Sequence, residues 1–173
     1  KFERYINWIS GMIIGDFGVS YTYRVPVSEL VISRIGVSIP LAIYAIFLSI
    51  FIAIPIGMFS AANHGGFRDW SFMGLTQLGI AIPNFWFAMV LVLIFSIKLK
   101  WFSAGGIPGW EKGLLLNLKA LTLPAFALAL PQASILARVM RSALIETLGQ
   151  DYFRTARASG LTYFQAIKNH AFR

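Results

Sequence analysis

Residues 35–67 read IGVSIPLAIYAIFLSIFIAIPIGMFSAANHGGF, 33 positions without a formal charge between Arg34 and Arg68 when His64 is neutral. A helix that crosses a bilayer needs about 20 predominantly apolar residues, so this stretch alone is long enough. Two more gaps follow: 28 residues between Asp69 and Lys98, and 18 between Lys119 and Arg138. Soluble domains are roughly 45–50% apolar and about 25% charged. This chain of 173 residues is 57% apolar and 13% charged. Three such gaps in so short a chain exclude a soluble core, and the sequence describes an all-α integral membrane protein. The expected spans are 37–61, 70–97 and 118–139, inside a transmembrane core of 35–143. Residues 1–34 lead into it, and 144–173 leave it.

The formal net charge of +8 raises the question of nucleic acid. The basic residues sit at the ends of the apolar segments, however, where they suit lipid headgroups and membrane topology. Membrane lipid is therefore an expected partner and nucleic acid is not. The chain has no cysteine, which removes disulfides, thiolate metal sites and cysteine nucleophiles together. No secretory signal pattern is present. The piece 5–14 is aromatic and aliphatic but too short to span, which fits an interfacial segment. Pro26 is placed to start a helix at Val27, since proline is tolerated in a first turn.

Prolines fall inside or near the ends of all three spans: Pro40, Pro55, Pro83, Pro124 and Pro131. Within a membrane, neighbouring helices and ordered water can satisfy the carbonyl that an interior proline frees. Two readings stand at this point: the kinks shape packing, or they open helices around a pathway. Pro83, Asn84, Phe85 and Trp86 make the sharpest instance and are the candidate pathway-lining residues. Asn84 is polar inside an apolar span and is expected to face protein or water.

The loop 63–69 is short, so the first two spans form an antiparallel hairpin. With three crossings, residues 1–34 share a side with the loop 98–117, and 63–69 share the other with the tail. Eight Lys and Arg fall in 1–34 and 98–119 and seven in 63–69 and 138–173, so the positive-inside rule leaves orientation open. At the end of the third span, Arg138 and Arg141 are expected to snorkel to the interface, and 142–148 to continue the helix.

The tail then reads DYFRTARASG over 151–160. Asp151 suits a helix N-terminus, and Gly160 the left-handed position that ends a helix. Thr162 and Gln165 form a capping box for the next helix. The first of these helices has only about two turns and needs packing to persist, on lipid or on a partner. The run QDYFRTARASGLTYFQAIKNHAFR resembles the cytoplasmic signature loop of permeases of the dipeptide/oligopeptide ABC-importer family, carried by Tyr152, Arg154, Thr155, Ala156, Arg157, Ala158 and Gly160. GDFGVSY (15–21), IPNFW (82–86) and LTLPAFALALPQASILAR (121–138) match the same family in order, so the resemblance covers nearly the whole chain.

That resemblance implies a coupling helix that fits a groove on a cytoplasmic ATPase. Tyr152 and Phe153 would pack in the groove, Arg154 and Arg157 would make polar contacts, and Ala156 and Ala158 would allow close approach. It implies a second permease subunit, two ATPase subunits or domains, and an external substrate-binding protein as partners. It also implies the orientation, with the tail cytoplasmic and both 15–21 and 98–117 outside. Permeases of this kind have a further span before GDFGVSY and two after the loop, so the expected object is a partial permease with three of about six helices.

No catalytic residue, metal site or cofactor is expected in the chain. There is no G-x-x-x-x-G-K-[ST] loop to cradle phosphates, so ATP hydrolysis would come from partners. His64 and His170 are isolated and read as exposed or packed side chains. The acids, Asp69 among them, fall outside the spans. Proton-coupled secondary transporters often use an intramembrane acid, and these spans have none. The competing classes are a secondary transporter without an ATPase and a non-transporting membrane scaffold.

Overall fold

The computed structural model describes residues 2–150, and 151–173 lie outside the described residues. The chain divides into two units, Lys1–Ile43 and Tyr44–Arg173. The first opens with α1 (Phe2–Ile13). Its 12 residues extend about 18 Å at 1.5 Å per residue, too short to cross, and Tyr5, Trp8 and Ile9 are exposed along it. A tight turn follows. Asp16 Oδ1 accepts the Gly18 N–H at 2.9 Å, and Gly15 and Gly18 take positive φ of 86° and 75°. The Val27 N–H then donates to the Gly18 carbonyl at 2.9 Å, which places Pro26 directly before helix α2 (Val27–Ala62). The helix begins at Val27, where Pro26 is placed to start it, and the first expected span falls inside it.

Helix α2 has 36 residues, about 54 Å by helix rise, against a hydrocarbon core of about 30 Å. Its best window reaches a mean hydropathy of 2.5. What orders it is side-chain size. In the second unit Ala45, Ser49, Ala53, Gly57, Ser60 and Ala61 are buried, whereas Phe47, Phe51 and Phe59 are exposed. Small residues face inward and large ones outward, as expected where lipid is as apolar as any core and close backbone approach drives association.

The turn 63–66 leads to α3 (Phe67–Ala81), then α4 (Asn84–Leu91). Residues Val92–Lys98 extend α4 as a wider π-helical segment, in which the Leu99 N–H reaches back to the Ile94 carbonyl at 2.9 Å. A loop and the short 3₁₀ turn Trp110–Lys112 precede α5 (Leu114–Leu148), which holds Pro124 and Pro131 within a continuous helix. The third expected span thus lies inside a longer helix that includes 142–148.

The second expected span, 70–97, is not a single rod. Helices α3 and α4 meet at 98°. Pro83 has no N–H to donate, and it disfavours helical geometry in the residue before it. Ile82 accordingly takes φ −82° and ψ 124°, while its N–H still closes α3 on the Leu78 carbonyl. The Phe87 N–H opens α4 on the Pro83 carbonyl at 3.0 Å.

In α5 the buried positions run Asn117, Leu121, Ala125, Ala129, Ala133 and Ala137. Steps of four turn about 400°, so the stripe winds around the helix. Leu123 and Ala127 beside it pack on Leu91 of α4, while Ala133 and Ala137 pack on Ala53 of α2. The approach is close. A Cβ at Gly57 would stand 2.8 Å from Met140 Cβ and 2.9 Å from the Ala137 carbonyl, and one at Gly79 would collide with Ser134 Oγ.

Candidate functional site

At the end of this bundle where α5 runs toward residue 148, three helices bring their polar residues together. Ser60 comes from the last turns of α2, Asp69 from the first turn of α3, and Arg141 lies one step of four beyond Ala137 on α5. Arg141 grips the Asp69 carboxylate with both arms, Nε to Oδ1 at 2.7 Å and Nη2 to Oδ2 at 2.6 Å. The Ser60 hydroxyl donates to Oδ1, and the Gly65 N–H donates to Oδ2 at 3.0 Å. Each oxygen thus receives two donors, which uses the accepting capacity of a carboxylate in full.

Asp69 is only 2% exposed. Burial alone would favour its neutral form, but the Arg141 hydrogen bonds prevail, and those from Ser60 and Gly65 add to them. Asp69 lies ahead of the apolar run, outside the span, and its carboxyl is held well below the usual carboxylate range. His64 borders the pair, with Nδ1 2.9 Å from Arg141 Nη2 and 3.4 Å from Asp69 Oδ2. Because an arginine has no acceptor, the short contact makes Nδ1 the acceptor, and the longer approach to the carboxylate carries no hydrogen bond. Beside the cluster, Arg138 Nη2 donates to Gln77 Oε1 at 3.2 Å. An open cleft of about 370 Å³ is lined by His64, Asp69, Trp70, Gln77, Arg138 and Arg141 among others.

The arrangement corrects the expectation that Arg141 snorkels. Its position continues the buried stripe of α5, so the side chain meets a carboxylate instead of lipid headgroups. Asp69 belongs to a helix, not to the loop, and His64 is a hydrogen-bond acceptor at the edge of the cluster. Along α3, Asp69 and Pro83 are 14 residues apart. That is about 20 Å of helix, so the break and the charged cluster stand at opposite ends of α3. At the break Phe85 and Trp86 are 70% and 50% exposed, and Asn84, which opens α4, is exposed as well. Facing the other end of α5, buried Asn117 donates through Nδ2 to the carbonyls of Gly109 at 2.9 Å and Gly113 at 2.7 Å, pinning the loop 99–113. Tyr152, Phe153, Arg154, Thr155, Ala156, Arg157, Ala158 and Gly160 lie outside the described residues.

Residues 53–173 match the family described as the binding-protein-dependent transport system inner membrane component. The chain belongs to this family. It is 36% identical over 173 residues to a putative peptide permease protein of Brucella ovis, covering 98% of this chain and 54% of that one. An oligopeptide transport system permease protein of Bacillus subtilis is 35% identical over 181 residues, 100% of this chain and 56% of its own length. The dipeptide transport system permease protein of Escherichia coli is 30% identical over 194 residues, with coverages of 99% and 57%. The chain spans little more than half the length of each of these relatives. Membership of the family makes it a multi-pass inner-membrane component, in keeping with helices α2 and α5 and the bent pair α3–α4, all long and apolar enough to cross. As a transport permease component it is not a catalytic subunit.

The Asp69 cluster escaped the sequence reading because its partners are 72 positions apart. One signal was present. Arg141 falls on the register Ala125, Ala129, Ala133, Ala137, and a charge on a buried register needs a partner.

Proposed function

We propose that the chain is part of a permease subunit of an ATP-driven importer for di- or oligopeptides. In this reading it forms the translocation pathway with a second permease subunit and receives substrate from an external binding protein. ATP is hydrolysed by two cytoplasmic ATPase subunits or domains, and the chain binds no cofactor of its own. The observation that carries the reading is the alignment of nearly the whole chain with relatives named as peptide permeases. Pro83, Asn84, Phe85 and Trp86 line the pathway in this proposal, supported by the 98° break and by the exposure of Phe85 and Trp86. Tyr152 to Ala158 and Gly160 form the coupling element, and the segment 151–173 is cytoplasmic.

Two measurements on the whole permease test this. Peptide uptake should stop when ATP is depleted while ion gradients are held, and persistence of uptake would turn the reading toward a secondary transporter. This chain has no cysteine, so in a whole permease with any cysteine elsewhere replaced, Ala158→Cys can be labelled from either side and crosslinked to co-expressed ATPases. Cytoplasmic labelling with a nucleotide-sensitive adduct is expected, and labelling from outside would overturn the topology.

A further inference from the structure

The contacts between α5 and the α2–α3 hairpin are of two kinds. Along most of their length they are small side chains, Ala53 with Ala133 and Ala137, Gly57 beneath Met140 and Gly79 beside Ser134, with one neutral hydrogen bond between Tyr44 and Thr122 at 3.4 Å and one from Arg138 to Gln77 at 3.2 Å. Contacts of this kind hold two helices close but do not fix direction, since dispersion and burial are non-directional. At the loop end the contact changes character. Asp69 and Arg141 meet through two parallel hydrogen bonds, and the geometry of a bidentate carboxylate–guanidinium pair specifies both position and orientation. Ser60 and the Gly65 N–H hold the carboxylate from the other side, so α2, the turn and α3 are tied to one point on α5. That point lies seven residues before Leu148, about 10 Å of helix from where the chain runs on into 151–160.

We propose that the Asp69–Arg141 pair is a positioning lock that makes the α2–α3 hairpin move with the end of α5. Asp69 and Arg141 are positioning residues in this proposal, acting through the helices they join. The inference rests on the coupling reading above. A displacement imposed on the segment after α5 reaches the hairpin through this pair, and through the hairpin reaches the break at Pro83. Without it, α5 and α3 are joined across their contact by the Arg138–Gln77 hydrogen bond at 3.2 Å and the small-residue packing, a weaker hold on register than a bidentate charged pair.

The test uses the whole permease assembled with its ATPases in proteoliposomes, reading peptide uptake and ATP hydrolysis in the same preparation. The central variant is the double replacement Asp69→Leu with Arg141→Met, which removes both charges at similar volume. Exchanging a buried pair for apolar residues is often neutral or stabilising, so assembly should be retained. The lock predicts near-normal ATP turnover with peptide moved per ATP down by about tenfold, the scale on which mutations along a coupling network act. Asp69→Glu with Arg141 unchanged keeps a carboxylate opposite the guanidinium and should keep most of the unmodified ratio. An unchanged ratio in the double variant overturns the lock and leaves the importer reading intact. A double variant that fails to assemble makes the pair a folding element and also overturns the lock. Absence of ATP-linked uptake in the unmodified permease overturns the importer reading itself, and the lock with it.

Discussion

One substitution, made at two glycines, should change stability in opposite directions. Gly57 in α2 faces α5, and a Cβ there would stand 2.8 Å from Met140 Cβ and 2.9 Å from the Ala137 carbonyl. Neither neighbour is the far end of a flexible side chain, so the helices must separate by several tenths of an ångström. Overpacking of this kind costs about 1–3 kcal/mol. Against it stands the gain from replacing glycine in a helix interior, about 1 kcal/mol. Gly57→Ala should therefore destabilise by about 1 kcal/mol net, which is the middle of the overpacking range less the helix gain. Gly74 lies in α3 with nothing within 4 Å of its Cβ position, so Gly74→Ala keeps the helix gain and loses nothing. For a chain of this size 1 kcal/mol shifts the melting midpoint by roughly 2–4 °C. Thermal unfolding in one detergent, followed by circular dichroism, should give the order Gly74→Ala at or above the unmodified chain and Gly57→Ala below it. If Gly57→Ala melts at or above the unmodified chain, the close α2–α5 approach described here is wrong. Ser60, Asp69 and Arg141 would then lose the framework that brings them together.

Three further outcomes follow from the geometry. Pro83→Ala supplies the N–H that proline lacks and removes the restriction on Ile82. It should straighten the α3–α4 break and lower uptake by the whole permease while leaving its assembled amount unchanged, as read by transport and immunoblot. Asn117→Ala removes both bonds to the Gly109 and Gly113 carbonyls at about 1 kcal/mol each, so the loop 99–113 should be cut faster by added protease. The third concerns pH. Asp69 has a folded pKa depressed below its unfolded value of about 3.9, chiefly by Arg141. Its contribution is therefore complete above the unfolded value and is lost only as pH falls through the lower, folded one. Asp69→Asn should be less stable than the unmodified chain by a constant margin between pH 5 and 8, with the gap closing in strong acid. With His64, which touches both partners, replaced by Gln in both proteins, a gap that changes across that neutral window would mean that Asp69 is not held in this way.

The spans were legible because charge is costly in lipid: the gaps after Arg34, Asp69 and Lys119 announce helices whatever those helices pack against. The break was legible only in part. Pro40, Pro55, Pro83, Pro124 and Pro131 look alike in the sequence, yet Pro40, Pro55, Pro124 and Pro131 sit within continuous helices and Pro83 alone among these five divides α3 from α4. Whether a proline breaks a membrane helix depends on what satisfies the carbonyl it frees, and that is a property of neighbouring segments. The Asp69 cluster was least legible, for a related reason. Asp69 follows Arg68, and Arg141 follows Arg138 by one turn, so counted along the chain each is one more charge beside an apolar segment. Only the register shows that Arg141 prolongs the alanine stripe of α5 and that Ser60 prolongs the small-residue stripe of α2.

Those two stripes also explain why the cluster stands where it does. Small residues bring backbones close enough for helices to pack in lipid, but the same closeness leaves no room for a long side chain except at the end of the contact, where the helices reach water. An arginine there can extend across the gap, and a carboxylate in the first turn of the opposing helix is favoured by the exposed N–H groups and can be met head-on. The small-residue packing thus determines how near α5 and α3 come, and the Asp69–Arg141 pair determines their register. A surface of alanine and glycine alone would specify the first and leave the second undefined. The charged pair, toward the Leu148 end of α5, supplies the direction that the apolar contact lacks.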